Sequence, residues 1–413
     1  MADGACRAVL ALALAATLLL SGCSAPFSAG SEAATPTDRA PQTVEPTPDD
    51  GVRTPATPTP RVVSVETEVV FDRTRRLLGT DRRITPTVEV HEQKPNATLD
   101  PDDFEQAIGF REFNINNRMV AGASRSNEIS VSSAYRSRPA ALERTLAHEY
   151  LHLVQFDRGL QNDIYDRLYP NESDPTVDTD LAGSAVLEGH GQYAEDAYWQ
   201  RYQAEGPRPS ERLRARYEYQ TGMFRRVAAR YLYGARYLKT RGGVGNFSAL
   251  YDDPPRTYEQ VLHPGTDEPP VALNATGVAS DDWLKSAESN YQRTGELYVR
   301  LALRSELSRE RSVAAAAGWG NDRVLEFVRL SGDRRGYAWV IRFDDAANAT
   351  EFAEAADDYA RKREARSDET TVRLERVDPR TVVLLYGPAT FVDETGVRTE
   401  GGNVTAVAPG SGT

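Results

Sequence analysis

The sequence predicts an α+β chain, on three observations. Residues 61 to about 270 carry apolar side chains at helical spacing, interrupted by short alternating runs. Residues 319–391 hold four alternating runs around one amphipathic stretch, the pattern of a small ββαββ module. Residues 23–60 are rich in Pro, Thr and Ser with repeated Thr-Pro pairs, a composition that buries almost nothing. The organisation expected is a leader over 1–22, a disordered tether over 23–60, a helical domain with a small sheet over 61–318, the module over 319–391 and a flexible tail over 392–413.

At 413 residues the chain is too long for one compact core. It carries 61 Asp and Glu against 49 Lys and Arg, a net charge of -12, and its lysines are only Lys94, Lys239, Lys285 and Lys362. Such a surface repels phosphates, so nucleic acid is not an expected partner. The acidic, lysine-poor balance resembles that of proteins from high-salt archaea. Cys6 and Cys23 are the two cysteines, so nothing downstream can form a disulfide or a thiolate metal site. A transition-metal site in the rest of the chain has to use His, Asp and Glu.

Arg7 followed by the apolar run 8–20 reads as a secretory signal, too short for a comfortable membrane span. Leu20-Ser21-Gly22-Cys23 resembles a lipobox, which implies a lipidated Cys23 at the mature N-terminus and a protein tethered to the outer face of the cell membrane. Asn-x-Ser/Thr sequons at Asn96, Asn171, Asn246, Asn274, Asn348 and Asn403 agree with an exported, glycosylated chain.

Val62, Val63, Val69, Val70 and Leu77 predict an amphipathic helix over 61–79, stopped by Gly79. Alternation predicts strands over 87–91 and 128–132. A helix is expected from near Ser137, with Pro139 in its first turn, to near Gly159. Within it lies His148-Glu149-Tyr150-Leu151-His152. Two imidazoles four residues apart share one helix face and can bind one cation, and the intervening Glu149 is placed to take a proton from water. The third ligand should come from a separate element. Glu188, in Val186-Leu187-Glu188-Gly189-His190, is the strongest candidate.

His148-Glu-Tyr-Leu-His152 followed by Glu188-Gly189, with Tyr193 beyond, resembles the gluzincin clan of metallopeptidases. Tyr233-Gly-Ala-Arg-Tyr237, Thr257-Tyr-Glu-Gln-Val-Leu-His-Pro264 and Gly318-Trp-Gly-Asn-Asp322 resemble segments of predicted gluzincins, including surface lipoproteins of haloarchaea. The resemblance implies a zincin-like domain whose zinc is held by His148, His152 and Glu188, with Glu149 as general base for hydrolysis of a peptide or surface-protein substrate. It also directs attention to Gln192, which stands where such enzymes often have an acid that orients a zinc-bound histidine. A donor for the oxyanion is sought among Tyr193, His190, Tyr231, Tyr233 and Tyr237, and the sequence does not choose among them. His190, two residues from Glu188, does not share its face and reads as a neighbour of the metal rather than a ligand. His263 and His91 read as a turn residue and a strand end.

In the C-terminal part, periodicity predicts helix over 283–317, broken at Gly318-Trp319-Gly320. Strands are expected over 324–330, 337–342, 372–377 and 381–386, with a helix over 346–363. No nucleophile constellation or phosphate loop occurs there. Two functions compete: a membrane-anchored extracellular zinc metallopeptidase, and a non-catalytic surface lipoprotein that keeps a zinc site for an envelope or binding role; a metallo-hydrolase of another bond is a third, weaker reading, since the motif sets the water chemistry and not the substrate.

Overall fold

The computed structural model describes residues 65–92, 98–115, 121–170, 175–286, 292–332, 334–366 and 370–410. The leader, Cys23, the tether, Val62, Val63, Asn96 and Asn171 lie outside the described residues. The chain is α+β. Among the described residues, no helix is long and apolar enough to cross a membrane.

Helix α1 (Thr67–Leu77) buries Val70, Phe71 and Thr74, and Gly79 turns the chain out of it at a φ of 58°. A three-stranded sheet follows, made of β1 (Thr87–His91), β2 (Ala121–Ala123) and β3 (Glu128–Ser132) in the order β1-β3-β2. β3 runs parallel to β1 and antiparallel to β2. Its alternate residues Ile129 and Val131 are buried in the core that also takes the motif helix. That helix, α2 (Pro139–Asp157), starts with Pro139 at its first position and is buried continuously from Thr145 to Gln155. A helix enclosed on all sides explains why its sequence is apolar all round rather than striped.

Helices α3 (Leu160–Leu168), α4 (Val177–Tyr202), α5 (Pro209–Tyr219) and α6 (Gly222–Arg241) complete the bundle, followed by two short ones, α7 (Phe247–Tyr251) and α8 (Tyr258–Leu262). Thr176 and Thr221 cap α4 and α6, each accepting from a backbone N–H three residues on. Helices α4 and α6 cross very closely. A Cβ on Gly234 would sit 2.0 Å from the Ala185 carbonyl oxygen, and one on Gly189 would sit 2.4 Å from the Gly234 backbone. Two facing glycines allow that approach.

The expected helix over 283–317 is corrected by the structure. Trp283–Lys285 is a strand, and two helices follow, Gly295–Arg304 (α9) and Arg309–Ala316 (α10). Trp283 pairs with Arg329 and packs its ring at a tilt against Phe391, with centroids 4.8 Å apart, a tertiary contact that overrides the local period. Numbering Asn274–Val278 as β4 and Trp283–Lys285 as β5, the later strands are β6 (Trp319–Arg329), β7 (Arg335–Phe343), β8 (Thr371–Asp378) and β9 (Thr381–Gly387). Between β7 and β8 lies α11 (Ala346–Glu364). The sheet is antiparallel in the order β8-β9-β7-β6-β5, one strand wider than expected.

The expected flexible tail is also corrected. Helix α12 (Ala389–Glu394) leads into a hairpin of β10 (Gly396–Glu400) and β11 (Asn403–Val407), and β11 pairs in parallel with β4. Val404 and Ala406 are buried there, so the segment has a packed face despite its glycines. Period-2 alternation divides the central strands between two cores. Trp339, Ile341, Val382 and Leu384 join the helices, whereas Ala338, Val340, Val383 and Leu385 join Trp283, Phe391, Val404 and Ala406. The first core runs unbroken from Val70 to Tyr386.

Two buried carboxylates hold the segment 293–295 between the bundle and the sheet. Asp322 on β6 accepts from Thr294 N and Oγ1, Gly295 N and the indole N–H groups of Trp319 and Trp339, at 2.8–3.1 Å. Asp178, in the first turn of α4, accepts from Arg293 Nε at 3.0 Å and Tyr258 N at 2.8 Å.

Candidate metal centre

Helix α2 presents His148 and His152 on one side, with ring centroids 4.8 Å apart. Glu188 arrives from α4, its Oε2 lying 3.8 Å from His148 Nε2 and 3.5 Å from His152 Nε2. One ligand atom from each of the three residues falls within 4.8 Å of the others. Bonds of about 2.0–2.1 Å at tetrahedral angles put zinc ligands about 3.4 Å apart, so both carboxylate contacts fit a shared cation. His148, His152 and Glu188 are 1%, 0% and 3% exposed.

The donor chemistry supports the same reading. Both Nε2 atoms and Glu188 Oε2 are buried without a hydrogen-bond partner. Three converging lone pairs in a dry interior are costly unless a cation satisfies them. Burial pushes the His152 imidazole down, but the Glu188 carboxylate outweighs this and carries it up to about 9. Burial likewise pushes Glu188 up, yet the His152 charge and the closeness of both imidazoles hold it down to about 2. Both shifts express one attraction, that of the Glu188 carboxylate for positive charge at the imidazoles. The chain's three buried residues can therefore hold a metal ion.

A second requirement falls on Gly191. A Cβ there would lie 2.5 Å from His148 Cε1 and Nε2. The His148 ring also packs near Tyr231, with centroids 5.8 Å apart and planes at 27°. The imidazole is thus held between α4 and α6.

His152 is fixed by a buried relay of neutral groups. Its Nδ1–H donates to Gln155 Oε1 at 2.7 Å, which leaves the Nε2 lone pair for the metal. The Gln155 amide donates in turn to Leu187 O at 3.0 Å and to the Tyr251 hydroxyl at 2.7 Å. Tyr251 donates to His190 Nδ1 at 2.7 Å, and His190 Nε2–H ends the relay on Val244 O at 2.8 Å. Burial pushes His190 down to about 4, in keeping with a neutral ring. Gln155→Ala is expected to weaken zinc binding by about 10–100-fold, measured by chelator competition. An unchanged affinity would remove Gln155 from this role.

The relay reassigns several residues singled out from the sequence. His190 lies beside the centre, but both ring nitrogens are engaged away from it. Tyr193 is turned elsewhere too, its hydroxyl donating to Gly242 O at 3.2 Å. Gln192 donates to Glu195 at 3.2 Å, not to a histidine of the triad. Tyr233 packs edge-on against Tyr217, and Tyr237 lies under Arg241. Of the five oxyanion-donor candidates, Tyr231 is the one whose ring touches a ligand. His91 bonds Ser130, and His263 pairs with Glu296 at 3.0 Å, both apart from the triad. The sequence assigns no role at the metal to Gln155, Tyr251, Gly191 or Gly234, although Gly234 and Tyr251 lie in segments that resemble those of predicted gluzincins. The spacing of Gln155 three residues after His152 was the available signal for the first of them.

The family models supply one match: a domain of unknown function (DUF8575) corresponds to residues 284–411. That span contains β6 to β9, the last two residues of β5 and the hairpin, and it excludes the triad. No curated protein and no solved structure matches the chain.

Proposed function

We propose that this chain is a membrane-anchored, extracellular zinc metallopeptidase with a zincin-like domain over 61–318, tethered through lipidated Cys23. The observation that carries the proposal is the meeting of His148, His152 and Glu188 at unpartnered atoms, with Glu149 beside the first ligand. Zinc bound there supplies Lewis acidity toward a peptide carbonyl and toward water. Glu149 accepts the proton of the attacking water and returns it to the leaving amine. The Gln155 relay holds His152 in the tautomer that ligates, and Gly191 leaves room for His148. The ββαββ module over 319–391 serves as a packing or substrate-recognition unit.

Two observations favour a non-catalytic surface lipoprotein with a retained metal. Glu149 is 0% exposed, and both Tyr193 and His190 donate away from the triad. The deciding assay uses purified protein, zinc and mixed peptides at high salt. Peptidase function predicts cleavage that stops on chelation and returns with zinc. One equivalent of bound zinc with no cleavage across diverse peptides would sink the peptidase reading and leave the lipoprotein one.

A further inference from the structure

Arg230 on α6 is 6% exposed, yet its Nε is buried without a partner. Among the described residues its guanidinium makes no hydrogen bond or ion pair. The other buried arginines do not share this condition. Arg225 donates to the carbonyls of Tyr217 and Glu218, and Arg300 pairs with Glu296. A guanidinium cannot relieve burial by losing its proton, so an unpaired one inside a folded chain calls for an anion.

Its position brings it to the metal centre. Tyr231, the next residue, stacks on His148, and Gly234, one turn further on, touches Ala185 and Gly189 on either side of Glu188. Residues four apart share a helix face, so Arg230 leaves α6 on the side that packs against α4. The Arg230 charge acts on the phenols of Tyr165 and Tyr258, and Glu188 acts on Tyr165 as well. The Tyr258 hydroxyl is itself buried without a partner. Helices α4, α6 and α8 pack on one another, which brings one fixed cation and one free phenol to the side of α6 that faces the helix bearing Glu188.

We propose that Arg230 and the Tyr258 hydroxyl form a carboxylate-binding site next to the metal, which receives the free C-terminus or an acidic side chain of the substrate peptide. The planar fork of a guanidinium matches a carboxylate through two N–H donors, and the phenol adds a third. A single fixed positive charge balances a carboxylate better than a phosphate dianion. The proposal rests on reading the triad as a peptidase centre.

The test measures binding by calorimetry to zinc-loaded Glu149→Gln protein, with and without Arg230→Met. The probes are acetyl-tetra-alanine with a free carboxylate, its amide, and an amide carrying one internal glutamate. Tighter binding of the first or the third over the plain amide, by about tenfold or more, supports the site and says which carboxylate it takes. Arg230→Met should abolish that preference and Arg230→Lys should keep part of it. The melting temperature of the ligand-free protein should rise in Arg230→Met, because an unpaired buried charge is removed. Equal binding of all three probes, or a marked fall in melting temperature, overturns the proposal. If the preference is present but no peptide is cleaved by the wild type, the carboxylate site stands and the peptidase reading falls. Cleavage indifferent to carboxylates has the opposite meaning.

Discussion

Glu149→Gln is expected to keep one equivalent of zinc while lowering peptide hydrolysis by about a hundredfold or more. The side chain is buried in the middle of α2 and is not one of the three ligands, so an isosteric amide keeps the packing and the metal. It cannot accept a proton from water, and that difference alone separates the two proteins. Metal analysis alongside a peptide assay gives both quantities on one sample. Equal turnover by the variant would assign the proton transfer to another group. Loss of zinc would mean that Glu149 serves the site as a ligand or as its support.

Gly191→Ala should act on the metal rather than on the fold. An added methyl normally favours a helix interior by about 1 kcal/mol over glycine. At this position the methyl meets the His148 imidazole at 2.5 Å, in a ring already packed near Tyr231. Overpacking of this kind costs about 1–3 kcal/mol, so the metal-free protein is expected to lose at most about 2 kcal/mol. The imidazole moves to make room, and zinc affinity is expected to fall by about 10–100-fold. Chelator competition and a melting curve separate the effects. A wild-type affinity in the variant would show that His148 has freedom to step aside.

The triad was legible because its signal is local. His148 and His152 announce their common face by spacing alone, and Glu188 stands out when thiolate ligands are absent. What supports the triad depends on chain crossings that no local period encodes. Gly191 and Gly234 are required by what lies opposite them, His148 in one case and the Ala185 carbonyl in the other. Gln155 is legible as a neighbour of His152, but its bonds to Leu187 and Tyr251 exist only after α4 and α7 have packed. The strands expected over 87–91 and 128–132 are present, because alternation there coincides with a one-sided sheet. Trp283–Lys285 was hidden by its length of three residues. The hairpin of β10 and β11 was hidden by glycines, which mark its turn and not a loss of structure.

The parallel pairing of β11 with β4 has a consequence for how this chain divides. The recurring sequence unit begins at 284, yet the strand that covers one side of β11, Asn274–Val278, lies before that point. Trp283, whose ring fills the second core, also precedes it. A fragment starting at 284 would present β11 as an open edge, with N–H and C=O groups free to recruit a strand from another molecule. It would also leave Arg293 without the Asp178 carboxylate that anchors it to the helix bearing Glu188. In this chain the matched segment is therefore smaller than the unit that folds, and it borrows its edge strand from residues that precede it.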